Sequence, residues 1–245
     1  MNKCKSLNNL TNEKLIEKDK SYLNILDKID PNYKKTIINI IDTLDKKELP
    51  KNYNMLELSD FKSSMKSIIA RDLLISRIGF ILLSQDLADA FAKYLKGKKC
   101  LEIMCGSGAL SKALQDRGID IIPTDNFSWS SELVIDWNLR KNYWCDIENI
   151  DCIEAIEKYG QDIDYIIMSW PPYQESQATQ ALLKMREINK EYNKNIKLIY
   201  IGEGQCGCTA NDEFFELLKV SNNMQEINNV YETYYGIHDY ICEIV

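Results

Sequence analysis

Cys105-Gly106-Ser107-Gly108 follows the apolar run Cys100-Leu101-Glu102-Ile103-Met104 and opens a stretch with helical spacing. Glycines at a strand-to-helix turn let the backbone bend tightly and bring amide donors against a ligand. Asp125 ends the next apolar run, close to the position about 20 residues beyond the glycines where a carboxylate accepts hydrogen bonds from ribose hydroxyls. Asn126 stands beside it. Asp146 closes a third run, Trp144-Cys145, and is followed by Ile147. That pair suits an adenine amino group and the face of its ring. One acidic residue after a strand is more often a helix cap or a turn residue. Three at successive strand ends, with the glycine turn, point instead to an adenosine-type ligand at the carboxyl edge of an α/β sheet.

A second constellation is Ser169-Trp170-Pro171-Pro172-Tyr173, after the apolar run Tyr165 to Met168. Two prolines fix the backbone and remove two amide donors, so the preceding carbonyls remain as acceptors able to orient an amine. Trp170 and Tyr173 are expected to line a substrate cleft, against the alternative that Trp170 only covers the sheet end. Glu203, in the Gly202-Glu203-Gly204 loop, is a candidate proton acceptor or cation holder; otherwise this is a loop leading to a helix cap. Arg71 and Arg77 are candidate anion holders, though arginines on such helices are more often solvated. Cys206-x-Cys208 lacks a second close cysteine pair, and His238 is the single histidine, so no metal site is expected.

The elements that must position these residues change character near residue 97. Residues 1–96 read as a helical region. Leu15 and Leu23 begin one amphipathic pattern, Pro31 starts a second, Ser59-Asp60 precedes a third, and Ser84 caps a fourth that stops at Gly97. Residues 97–245 alternate short apolar runs with helical ones. Strands are predicted near 99–104, 119–124, 142–145, 163–169 and 196–202, and helices near 108–117, 150–159, 175–191 and 211–219. This is the pattern of a parallel sheet with helices on both faces. The runs 225–235 and 239–245 read as an antiparallel hairpin turning at Gly236-Ile237-His238. Trp129, Leu133 and Trp137 lie in a long insertion that reads as a lid.

The chain carries 37 acidic and 30 basic residues, net charge −7, which disfavours unaided nucleic-acid binding without excluding a local basic patch. No membrane span or signal peptide is evident, and a reducing cytoplasm is the expected location for the eight cysteines. Nothing in the sequence fixes the oligomeric state.

Residues 98–245 resemble the Rossmann-like S-adenosylmethionine-dependent methyltransferases. Glu102, Gly106 and Gly108 match their acidic-and-glycine motif, and Met104 stands where the first glycine is usual. The Met-Cys-Gly-Ser-Gly ending resembles the branch that methylates amino groups of nucleic acids. The resemblance implies a mostly parallel sheet with an antiparallel C-terminal hairpin strand, and S-adenosylmethionine as methyl donor with S-adenosylhomocysteine as product. Glu102, Met104, Cys105, Gly106, Gly108, Asp125, Asn126, Asp146, Ile147 and Ser169 would hold the donor. Ser169, Trp170, Pro171, Pro172, Tyr173 and Glu203 would form the catalytic side. In that branch a polar residue before Pro-Pro helps to grip the target nitrogen. Trp170 departs from this pattern, because indole donates a hydrogen bond and accepts none. The resemblance implies a nitrogen acceptor; the acidic net charge and the lack of a separate nucleic-acid-reading region point to a small molecule or protein. Alternatives are a nucleic-acid amino group, with a basic partner, and a non-catalytic donor-binding subunit.

Overall fold

In the computed structural model, residues 17–128 and 143–245 are described. Leu15 and the insertion residues Trp129, Leu133 and Trp137 lie outside them. The first part is helical: 17–29 (α1), Pro31–Asp45 (α2), Ser64–Ile78 (α3) and Gln85–Tyr94 (α4). Asp30 caps α2 through the Tyr33 amide, with Pro31 at the first position, and Ser84 caps α4 through the Leu87 amide. Asp60 caps a short 3-10 turn, Phe61–Ser63, that leads into α3, so that helix begins a few residues later than its sequence signal.

The rest is a seven-stranded sheet with strands β1 Lys99–Ile103, β2 Asp120–Asp125, β3 Glu148–Asn149, β4 Tyr165–Ser169, β5 Lys197–Gly202, β6 Val220–Asn222 and β7 Tyr240–Ile244. Their order is β3-β2-β1-β4-β5-β7-β6, parallel except for β7, which runs antiparallel to both β5 and β6. Helices α5 Ala109–Gln115, α6 Cys152–Tyr159, α7 Gln177–Glu191, α8 Asp212–Leu217 and α9 Gln225–Asn228 connect the strands. This is the Rossmann-like sheet with a reversed C-terminal strand that the sequence implied. Strands β1, β4, β5 and β7 are buried along nearly their whole length, which explains their nearly unbroken apolar runs, while the edge strands β3 and β6 are not. On one face Cys100, Ile167 and Ile199 share a core with Leu26, Ile37, Leu73 and Phe91 of the N-terminal helices. On the other, Leu101, Ile166 and Leu198 pack with Ala155, Leu182 and Phe214. The N-terminal helices thus share the core on one face of the sheet. No helix among the described residues is long and apolar enough to cross a membrane.

Two sequence expectations are corrected. Residues 143–147 form no strand. The Trp144 amide donates to Ser107 O and its indole to Arg77 O, at 2.9 Å each. These bonds hold the segment over the glycine turn, and pairing with β2 starts only at Glu148. The tail hairpin is also re-partnered, because β7 pairs with Val220–Asn222 and not with 225–235. Asn228 makes the difference: its side chain bonds the amide and carbonyl of Ile241, as a strand backbone would, from the end of short α9.

Candidate functional site

Strand order reverses between β1 and β4, and in open α/β sheets ligands bind at that point, beyond the carboxyl ends of the strands. A cavity of about 540 Å³ lies there. That is within the roughly 300–1,000 Å³ typical of small-molecule sites. Its walls contain nine of the sequence-derived site residues: Glu102, Met104, Cys105, Gly106, Asp125, Asn126, Ser169, Trp170 and Pro172.

Glu102 is the penultimate residue of β1 and is almost fully buried. One carboxylate oxygen accepts from the Ser111 amide at 3.1 Å and from the Ser111 hydroxyl. Burial pushes its pKa up to about 7; the Ser111 bonds oppose this and the nearby Asp125 charge adds to it. No lysine or arginine among the described residues pairs with it. A buried carboxylate in a cavity wall, with no cationic partner among the described residues, is able to receive a positively charged group.

Asp125, at the end of β2, is equally buried. One oxygen accepts from the Gly106 amide at 2.8 Å and the other from the Phe127 amide at 2.6 Å. It thus ties the glycine turn to the next strand while facing the cavity. Met104 and Gly106 both adopt left-handed backbone, φ 52° and 57°. At Met104 this conformation costs about 1–2 kcal/mol relative to glycine, which is why glycine is usual there. Gly108 does not line the cavity. A Cβ at Gly108 would meet Cys145 Sγ at 2.7 Å and Ile147 Cδ1 at 3.1 Å, so glycine is required for packing against that segment.

Trp170 is also left-handed, φ 49°, a rare state for a bulky residue. Its indole stacks on Phe80 with ring centroids 5.3 Å apart, and its Nε1 donates to Asp239 Oδ2 at 3.1 Å. Tyr231 donates to the same oxygen. The ring is therefore held in the wall, and the cavity stays open beside it.

Several expected site residues are placed elsewhere. Asp146 is exposed and, with Ile147, lies off the cavity, because the segment before β3 packs across the glycine turn. The carboxylate that follows β3 is Asp151, which caps α6 through the Ile153 amide and accepts from Asn126 Nδ2 at 3.2 Å. Tyr173 is 53% exposed and does not line the cavity. Pro171 is buried, and its carbonyl takes the Ala210 amide at 3.3 Å, so one of the two carbonyls preceding a proline is used internally. Arg77 is buried between Asp45 at 2.7 Å and Asp19 at 3.0 Å, and Arg71 also lies off the cavity.

Glu203 is a brace and not a base facing the cavity. Its two oxygens accept from the His238 amide at 3.0 Å and the Cys208 amide at 2.8 Å. Burial opposes ionisation, but those amides outweigh it and hold the carboxyl below its usual value. A folded pKa below the unfolded one contributes stability that is complete above the unfolded value, near 4.5, and lost as pH falls through the folded value. Glu203→Gln should therefore lower the melting temperature at pH 7, lose that deficit in acid, and leave ligand affinity at the cavity unchanged. Thermal melts at pH 3.5 and 7 check this.

No protein-family model and no curated protein matches the chain. Among solved structures it is similar to a TehB-like SAM-dependent methyltransferase from Corynebacterium glutamicum, at 16% identity over 65% of this chain and 86% of that one, TM-score 0.39. It is similar to the magnesium protoporphyrin IX methyltransferase ChlM from Synechocystis PCC 6803 with bound SAM, at 14% identity over 66% and 78%, TM-score 0.40. A SAM-dependent methyltransferase from Archaeoglobus fulgidus gives 13% identity over 65% and 91%, TM-score 0.40.

Sequence reasoning missed the strap 78–81, which crosses from α3 and supplies Ile78, Gly79, Phe80 and Ile81 to the cavity. Gly79, φ 89° and ψ −162°, adopts a conformation that is essentially glycine-only. That glycine after a long apolar helix was the one available signal. Ser107 Oγ donates to Ile78 O at 3.3 Å and fixes the strap to the turn.

Proposed function

We propose that this chain is an S-adenosylmethionine-dependent methyltransferase acting on a nitrogen of a small molecule or protein. One observation carries the reading: the buried Glu102 carboxylate, without a cationic partner among the described residues, lies in the wall of the cavity at the switch point. S-adenosylmethionine has an amino group that such a carboxylate would hold. When bound, it supplies a methyl group on a cationic sulfur and is left as S-adenosylhomocysteine.

The residues fit that molecule. Glu102 would hold the amino group. The left-handed turn at Gly106, pinned by Asp125, presents backbone to the methionine part. Asp125, in the cavity wall, would accept a hydrogen bond from a ribose hydroxyl. Ser169, Trp170 and Pro172 form the wall at the end of β4 and would orient the methyl acceptor. The apolar strap excludes water from the reacting atoms. Acidic side chains in the lining and the net negative charge favour a small-molecule or protein acceptor over nucleic acid.

The test is incubation of the protein with methyl-labelled S-adenosylmethionine and extract of its source cells. Label is expected in a discrete product, with S-adenosylhomocysteine formed in equal amount. Donor binding without any labelled product would overturn the catalytic reading.

A further inference from the structure

Gln177 is the first residue of α7 and lines the cavity close in sequence to the Ser169–Pro172 wall. Its Oε1 is buried and has no hydrogen-bond partner among the described residues. The other buried side-chain atoms in that condition are Tyr33 Oη, Tyr234 Oη and Asp239 Oδ1, and none of those residues lines the cavity. A buried amide oxygen without a donor is a standing penalty that a bound N–H removes. The other charges in the lining limit what can bring that donor. Glu102, Asp125 and Glu175 are acidic, and among the described residues no lysine or arginine lines the cavity. Among the described residues an anionic acceptor would meet three carboxylates and no counter-charge.

We infer that Gln177 binds the methyl acceptor, its amide oxygen accepting a hydrogen bond from an N–H of a neutral or cationic molecule. This rests on the methyltransferase reading above. Glu175, exposed at the rim, adds attraction for a cationic acceptor. Gln177 thereby takes over part of the grip that Trp170, which only donates, leaves unmade.

The test compares wild type with Gln177→Leu, which keeps the bulk and removes the acceptor oxygen, and Gln177→Glu, which keeps an oxygen at the same reach. Three readouts are taken: melting temperature without ligand, S-adenosylhomocysteine affinity by calorimetry, and label transfer from methyl-labelled S-adenosylmethionine into source-cell extract. Gln177→Leu is expected to melt no lower than wild type, to bind S-adenosylhomocysteine within twofold, and to transfer label roughly ten- to a hundredfold less. Gln177→Glu should recover most of the transfer, and the wild-type labelled product should not be retained by anion exchange. Unchanged transfer in Gln177→Leu, a lower melting temperature, weakened S-adenosylhomocysteine binding, or an anionic product would each overturn the assignment. If wild type fails to bind S-adenosylhomocysteine, the methyltransferase reading itself has failed. If only the Leu variant behaves differently from expectation, that reading stands and the role of Gln177 falls.

Discussion

Glu102→Gln should make the ligand-free protein more stable and its ligand binding much weaker. Gln keeps an oxygen for the Ser111 amide and hydroxyl, so the turn between β1 and α5 stays in place. What changes is the charge. The folded pKa, about 7, lies above the unfolded value near 4.5. The folded state thus retains a proton that the unfolded state releases, and stability falls as pH rises between those values. The penalty is absent below the lower value, complete above the higher one, and amounts to up to ~3 kcal/mol. Thermal melts at pH 8 should therefore favour Glu102→Gln by several degrees, with the advantage shrinking towards pH 5. Binding runs the other way. A cationic amino group selects ionised Glu102, so wild-type affinity for S-adenosylmethionine should weaken about tenfold per pH unit below 7. In Glu102→Gln that pH dependence should vanish, with affinity at pH 8 lower by about 1.5–3 kcal/mol. Parallel calorimetry across pH reads both effects. Equal affinity in the two proteins would remove Glu102 from the site.

Asp125→Ala is expected to damage fold and site together. The side chain is buried and satisfies two backbone amides, those of Gly106 and Phe127. Removing it leaves two donors unpaired, and each such donor costs about 1–3 kcal/mol. The loss should lower the melting temperature by roughly 2–4 °C per kcal/mol for a chain of this size. With the Gly106 amide released, the left-handed turn loses its tether, and donor affinity should fall by at least tenfold. Asp125→Asn separates the two roles. Its single oxygen can serve one amide, so it should recover part of the stability and little of the affinity. A variant as stable as wild type with weakened binding would show that Asp125 serves only the ligand.

The parts of this site that the sequence made legible are those governed by local rules. The strand-turn-helix around Gly106 follows from short-range backbone geometry, and the acids Glu102 and Asp125 stand at fixed offsets from it. Asp146 misled because its position depends on a long-range event, the docking of Trp144 onto Arg77 O and Ser107 O, which no local periodicity records. Glu203 is in a loop beside the site but is spent on amides from Cys208 and His238, the latter distant in sequence. The tail misled for a similar reason, since the Asn228 side chain imitates a strand backbone. The strap 78–81 belongs to the helical region, and only the shared core brings it over the sheet. Gln177 was read simply as part of a helix, because an unpaired oxygen is a property of the folded surroundings and not of the residue.

The most direct test of the central claim is a crystal structure of the protein with S-adenosylhomocysteine. The amino group is expected within hydrogen-bonding distance of Glu102, and the methionine part along the Gly106 turn, inside the cavity between β1 and β4. Ligand density at any other place on the molecule, with Glu102 untouched, would contradict the account.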